Sequence, residues 1–249
     1  MKHYLYGLHA VKTLISQQPE QILELLVQKG QADSEPMHLM QQVKAMGIAV
    51  RQVSRADLDG YGKGHQGIVA LTAREASSQA EKLDLKTLIE RSLKGRRLIL
   101  ALDGVTDPHN LGACLRSAEA LGCDAVILPQ DRAASVNATV HKTSSGASQI
   151  LPIVTVVNLA QALEALKAAG FWVTGLEGEA TLSLTEVDFC LPTVLIMGSE
   201  GEGLRRLVKE KCDYLAKIPM QGQTESLNVS VACGISLFEV SRQRLAQGK

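Results

Sequence analysis

The sequence predicts an α/β protein of two units, the larger a parallel sheet covered by helices on both faces. Three observations carry that prediction. Near-continuous apolar runs such as "RRLILALD" and "TVLIM" alternate with helical periods through the second half of the chain, the signature of strands buried on both sides. A polar, Ser/Ala-rich stretch with neither period, "REASSQAEKLD", separates this region from a smaller alternating unit. The length of 249 residues suits one large or two smaller cores. The resulting division is 1–76, a linker 77–96, and 97–249.

In the first unit "AVKTLISQQ" reads as a helix and "QILELLVQ" as a strand. "SEPMHLMQQVKAMG" is a helix ending at Gly47, and "IAVRQV" a strand. The glycine-rich loop "DGYGKGHQG" leads into the strand "IVALTA", and a short helix "LKTLIERSLKG" falls within the linker. Strands are expected in the second unit at 98–102, 125–128, 151–157, 171–175, 193–197 and 215–219. Helices are expected at 110–121, 158–169, 201–211 and 228–244.

Composition narrows the function. Lys+Arg and Asp+Glu both number 26, so a broadly basic polyanion binder is disfavoured, while local basic patches remain open. Aromatics at 3% argue against base stacking as the driver of recognition. The five cysteines, Cys114, Cys123, Cys190, Cys212 and Cys233, form no C-x-x-C pair and read as free thiols of a reducing cytoplasm. Neither a signal-peptide core nor a membrane-length apolar run is expected.

Ligands of open α/β sheets gather at the carboxyl ends of the strands. Three stretches there carry polar residues that a core does not need: "LDGVTDPHNLGACLRSAEALG" (102–122), "MGSEGEGL" (197–204) and "IPMQGQTESLNVSVA" (218–232). In the first, Asn110 is expected to cap a helix that Gly122 ends, with Leu111, Leu115 and Ala118 on the sheet face. Arg116 lies off that stripe, and Gly112 and Ala113 are expected to leave room beside it. Asp103, Asp107 and His109 match no strong metal-ligand spacing, and turn chemistry accounts for them, so no metal is expected. The second stretch has the glycines of a phosphate cradle but two carboxylates, Glu200 and Glu202, where a phosphate wants none. Glu202 suits the N-terminal end of a helix dipole. In the third, Asn228 starts a helix whose internal Gly234 suggests close approach by another backbone, from a partner subunit.

In this order, "NLGACLR" (110–116), "IMGSEGEGL" (196–204) and "IPMQGQTESLNVSVACGISLFE" (218–239) resemble the motifs of the SpoU/TrmH (SPOUT) family of RNA 2′-O-methyltransferases. The likeness spans essentially the whole chain and is strongest to members that methylate a guanosine ribose in 23S ribosomal RNA. It implies a catalytic domain with a deep trefoil knot, a homodimer, and S-adenosylmethionine held largely by backbone at Gly198, Ile218 and Leu227, with Met220 and Ser226 nearby. Asn110, Arg116, Glu200 and Asn228 are implied as the functional polar residues. The reaction would be in-line attack of the ribose 2′-hydroxyl on the methyl carbon, accelerated by alignment. Arg116 suits an adjacent phosphate and developing oxyanion charge better than the role of base. The first unit resembles a small ribosomal-protein-like (L30-like) RNA-binding domain, with Tyr61, Lys63 and His65 as candidate RNA contacts. Arg205, Arg206, Lys209 and Lys211 could add a phosphate-facing patch. A transfer-RNA methyltransferase, a non-catalytic ribosome-assembly protein and a nucleotide-dependent enzyme stay open as alternatives.

Overall fold

A computed structural model describes residues 3–17, 19–30, 35–62, 64–72, 84–94, 97–224 and 226–248. The chain divides into two compact units, Met1–Gln79 and Ala80–Lys249.

The first unit runs β1 (His3–Tyr6), α1 (Leu8–Gln17), β2 (Ile22–Gln28), α2 (Glu35–Ala45), β3 (Ala49–Val53), α3 (Arg55–Asp59) and β4 (Ile68–Thr72). Its sheet has the order β1-β4-β2-β3, with β2 and β3 parallel and the other pairs antiparallel. One face packs Leu25, Val27, Ile68 and Ala70 against Val11 and Ile15 of α1 and Leu39 and Val43 of α2. The other face carries a smaller cluster, Leu26, Val69 and Leu71 under Leu58 of α3, edged by Tyr6, Val53 and Tyr61. β1 and α3 are additions to the expected elements. The sequence signal for α3 is the S-x-x-D of Ser54 and Asp57, which closes a full capping box.

The second unit comprises α4 (Leu85–Lys94), β5 (Leu98–Asp103), α5 (Pro108–Ala120), β6 (Ala125–Pro129), α6 (Ala138–Thr143), α7 (Ala147–Ile150) and β7 (Ile153–Val156). It continues with α8 (Leu159–Ala168), β8 (Trp172–Leu176), β9 (Leu182–Ser183), β10 (Thr193–Gly198), α9 (Arg206–Lys209), β11 (Tyr214–Lys217) and α10 (Val229–Ala246). The helix α4, expected inside a linker, belongs to this unit: Leu88 is fully buried beside Ile99 and Val154. The seven strands are ordered β7-β6-β5-β10-β8-β11-β9, and every pairing is parallel. Strand alternation splits the core. Leu98, Leu100 and Leu102 face α5 and α10, while Ile99 and Ala101 face α4 and α8. The central strands β5 and β10 lie side by side, so the loops leaving their carboxyl ends flank the point where the strand order reverses.

Two expectations are corrected here. The helix expected at 201–211 is only Arg206–Lys209, because Gly201 and Gly203 sit at φ +87° and +66°, outside any right-handed helix. Glu202 therefore precedes the helix and has no first-turn role. Asn110 is not a cap either. Asp107 caps α5 by accepting the His109 N–H at 3.1 Å, with Pro108 opening the first turn. Gly122, at φ +79°, follows the end of α5 as expected.

Candidate active site

The site is assembled by loops at the carboxyl ends of β5, β10 and β11. After β10 the chain folds back on itself. Ser199 and Gly203 exchange backbone hydrogen bonds of 3.1 and 3.0 Å, closing a tight turn with Glu200 directly after its first residue. This closure requires a glycine at 198, where an added Cβ would lie 2.2 Å from the Gly203 carbonyl carbon. The turn is anchored to the neighbouring strand through Asp103, at 1% exposure the last residue of β5. Its carboxylate accepts the Arg205 N–H at 2.9 Å and the guanidinium Nε and Nη2 at 2.6 Å each. A buried carboxylate requires such pairing, and it fixes the β10 loop to β5.

With the turn held, Glu200 draws the other two stretches together. Its Oε1 accepts hydrogen bonds from Asn228 Nδ2, from the Val229 N–H at 3.2 Å and from Asn110 Nδ2 at 3.3 Å. Asn228 Nδ2 also donates to Asn110 Oδ1 at 3.0 Å. The Asn228 side-chain oxygen, Oδ1, caps α10, accepting from Ser230 N–H at 2.9 Å and Ser230 Oγ at 2.6 Å. One carboxylate thus ties the first turn of α5 to the start of α10. Because Asp107 does the capping, the Asn110 side chain is free to make this contact.

Beside this cluster lies a cavity of about 420 Å³, in the range of small-molecule sites. Gly198, Ile218, Met220, Ser226 and Leu227 all line it, together with Glu200, Met197, Val229 and Ala232. Sequence reasoning had not included Glu177, Glu179 and Lys217, which also line it. Their signal is position alone, at or just beyond the carboxyl ends of β8 and β11. Four lining carboxylates, Glu177, Glu179, Glu200 and Glu202, face a single lining cation, Lys217.

Arg116 is neither in the hydrogen-bonded cluster nor on the cavity wall. It is exposed on α5 and has no hydrogen-bonding or ionic partner among the described residues. Nor does Gly112 make room for it: a Cβ there would lie 1.8 Å from Thr143 Oγ1, so that glycine seats α6 against α5. Among the described residues Gly234 meets no second backbone, its nearest neighbour being Ser117 Oγ at 3.6 Å from a built Cβ. The basic run after the cavity loop is paired with carboxylates throughout: Arg205 with Asp103, Arg206 with Glu210, Lys209 with Glu177 and Lys211 with Glu164. Arg205 thus anchors the loop through the buried Asp103.

In the first unit His65 is only 5% exposed, contrary to its expected RNA contact. Its Nδ1 accepts the Gly67 N–H at 2.9 Å, which leaves the proton on Nε2 to donate to Asp59 Oδ1 at 3.1 Å. Both ring nitrogens are engaged in holding the loop. Tyr61 is half-buried at the edge of the minor core, and Lys63 lies outside the described residues.

Two of the thiols are held in the neutral form. Burial pushes Cys212 up to about 12, and a hydrogen bond from the Cys233 thiol to Cys114, together with burial, holds Cys233 well above the usual thiol range. Among the described residues no group of three or more His, Cys, Asp or Glu side chains could hold a metal ion.

A model of the SpoU rRNA Methylase family matches residues 97–238, and one described as RNA 2′-O ribose methyltransferase substrate binding matches residues 4–77. The chain is 48% identical over 241 residues to the 23S rRNA (guanosine-2′-O-)-methyltransferase RlmB of Pseudomonas aeruginosa, covering 96% of each chain. The corresponding Xylella fastidiosa protein is 49% identical over 243 residues, 97% of this chain and 96% of that one. Among solved structures, the SpoU methyltransferase AviRb from Streptomyces viridochromogenes in complex with the cofactor AdoMet superposes with a TM-score of 0.74 at 25% identity, over 98% of this chain and 91% of that one. With family models matching both units and near-full-length relatives close to half identical, this chain belongs to the SpoU rRNA methylase family.

Proposed function

We propose that the protein methylates the ribose 2′-hydroxyl of a guanosine in 23S ribosomal RNA, with S-adenosylmethionine as donor. The observation that carries this reading is the convergence of Asn110, Glu200 and Asn228 on one carboxylate oxygen beside the cavity. The residues present fit the cofactor. The cradle at Gly198 admits no Cβ, and four carboxylates against one lysine suit a cationic ligand and oppose a phosphate. When bound, the cofactor supplies a methyl group activated by a sulfonium. Gly198, Ile218 and Leu227 would hold it, with Met220 and Ser226 alongside.

The chain's own task is positioning. Glu200 and Asn228 fix the start of α10 against the cavity loop, and Asn110 joins α5 to both, so acceptor and donor meet in a preset geometry. Arg116, permanently charged and without a partner among the described residues, would hold the phosphate beside the reacting ribose and stabilise charge developing on its oxygen.

The reading extends to a homodimer. Val231, Ile235 and Phe238, at 51%, 40% and 60% exposure, form an apolar stripe along α10, a face suited to a second copy. A site completed across that face would give Arg116 the surroundings it lacks in one chain. A trefoil knot in the catalytic domain is compatible with Asn228, which follows β11 in the chain, lying against the β10 turn. The mixed α/β sheet of the first unit is compatible with an L30-like RNA-binding domain. The proposed compartment is the cytoplasm, where the RNA is; among the described residues no helix is long and apolar enough to cross a membrane.

The test is transfer of labelled methyl from S-adenosylmethionine to unmodified 23S RNA and, in parallel, to transfer RNA, followed by mapping of the modified nucleotide. Incorporation at one guanosine ribose of 23S RNA is expected. Incorporation into transfer RNA alone would overturn the substrate, and no incorporation into either would overturn the activity.

A further inference from the structure

Three of the chain's four tyrosines, Tyr4, Tyr6 and Tyr61, meet on one face of the first unit. Tyr4 and Tyr6 project from the same side of the edge strand β1, with ring centroids 6.5 Å apart and planes at 25°. Tyr61 meets Tyr4 edge-on at 5.2 Å and 73°. The loop that brings Tyr61 there is built for the purpose. A Cβ at Gly62 would lie 2.6 Å from the Tyr6 ring, so this glycine lets the loop lie on that ring, and buried His65 pins the loop to Asp59 and Gly67.

The rings do not have equal parts in the fold. Tyr6 and Tyr61 pack against the minor core, but Tyr4 is absent from it, touches the two other rings, and is 47% exposed. An exposed ring supported by two others, on a domain whose family model is one of RNA substrate binding, has the form of a stacking platform. Across the same sheet face the register runs from Tyr6 through Val69 and Leu26 to Arg51, whose half-exposed guanidinium is paired with Glu24 at 2.9 Å. Such an exposed pair is weak enough to yield to a phosphate.

We propose that Tyr4, supported by Tyr6 and Tyr61, stacks an unpaired base of the RNA substrate. This rests on the RNA methyltransferase reading above and names where and how the first unit grips its substrate. A base inside a duplex offers no open face, so the occupant is a single-stranded nucleotide.

The test measures affinity of the full-length protein for a labelled single-stranded 23S segment and for the same segment in a duplex. Tyr4→Ala is expected to weaken single-strand binding about tenfold, within the roughly 5- to 150-fold that one base–aromatic stack provides. Tyr4→Trp should retain it, duplex affinity should not move, and the melting temperature should be unchanged because Tyr4 is outside the core. In methyl transfer, Tyr4→Ala should raise KM for RNA with kcat and cofactor affinity intact. Unchanged RNA affinity in Tyr4→Ala, with methylation normal, overturns this inference alone, as does an equal loss for duplex. A shift in self-association without a change in RNA affinity would overturn it in favour of a protein contact. A wild-type protein that neither binds nor methylates RNA overturns the inference together with the proposed function.

Discussion

Two glycine-rich loops, 198–205 in the catalytic unit and 59–67 in the first unit, look alike in sequence and are opposite in construction. Both contain a glycine at which a Cβ would collide, Gly198 with the Gly203 carbonyl and Gly62 with the Tyr6 ring. In the catalytic loop the backbone closes on itself, so the side chain at its tip, Glu200, is free to gather residues from two distant stretches. In the other loop a side chain does the closing: His65 is buried between Asp59 and Gly67, and the loop so held sets Tyr61 edge-on against the exposed ring of Tyr4. A polar residue in a glycine loop is therefore functional or structural according to whether the backbone has already satisfied itself.

The largest effect should come from breaking what the catalytic loop gathers. Asn228→Ala removes the amide that donates to both Glu200 and Asn110, and with it the α10 cap, and is expected to lower methyl transfer at least about 100-fold, the order associated with misplacing reacting groups by an ångström. Asn110→Ala and Glu200→Ala should be of similar size, and the double variants far less than additive, since the three act as a unit. Additive losses in rate assays would show three separate roles instead. Next comes the anchor. Arg205→Ala leaves the buried Asp103 carboxylate with one backbone donor and should cost about 2–3 kcal/mol, below the usual range for a broken buried pair because the Arg205 side chain is 40% exposed. Urea unfolding would detect it, and an unchanged midpoint would mean that water replaces the guanidinium.

The strands and long helices were legible because their apolar periods are long. The elements missed were short: the four residues of β1 and of α7, the two of β9, the five of α3 and the six of α6 carry too few turns or alternations to register. The site was legible in its residue types and not in its contacts. The cluster joins residues 90, 118 and 28 positions apart, and no spacing in a single sequence states that Asn110, Glu200 and Asn228 share an oxygen. Composition is silent on local placement in the first unit. An aromatic content of 3%, averaged over 249 residues, does not reveal that three rings lie together. Tyr4 and Tyr6 were invisible as a pair until β1 placed them on one side.

The glycines of the first loop separate space from conformation. Gly62→Ala puts a methyl into the Tyr6 ring at φ +153° and should cost about 2 kcal/mol, while Gly64→Ala meets nothing within 4 Å and incurs only the strain of φ +111°, about 1 kcal/mol. Only Gly62→Ala should also weaken single-strand RNA binding, because only it displaces a ring of the platform. Equal stability losses with equal affinities would mean that backbone strain, and not ring packing, shapes this loop.

The smallest effect separates the two units by pH. His141, on the α6 helix that Gly112 seats against α5, is hydrogen-bonded through Nδ1 to Ser148 at 2.8 Å, and burial holds it below the usual histidine range. The unfolded chain therefore takes up a proton near pH 6.5 while the folded chain does not. Its contribution to stability is fully present above about pH 6.5 and is lost as pH falls from there through the lower folded value. Unfolding midpoints of the catalytic unit should thus decline below pH 6.5 by less than the Arg205→Ala loss, and His141→Gln should flatten that part of the decline. The effect belongs to the scaffold under α5, so methyl transfer at pH 8 should be unaffected by the same substitution. If His141→Gln instead lowers the rate at pH 8 and leaves the pH series unchanged, the ring acts on the position of Asn110, and the boundary between scaffold and site runs through α6.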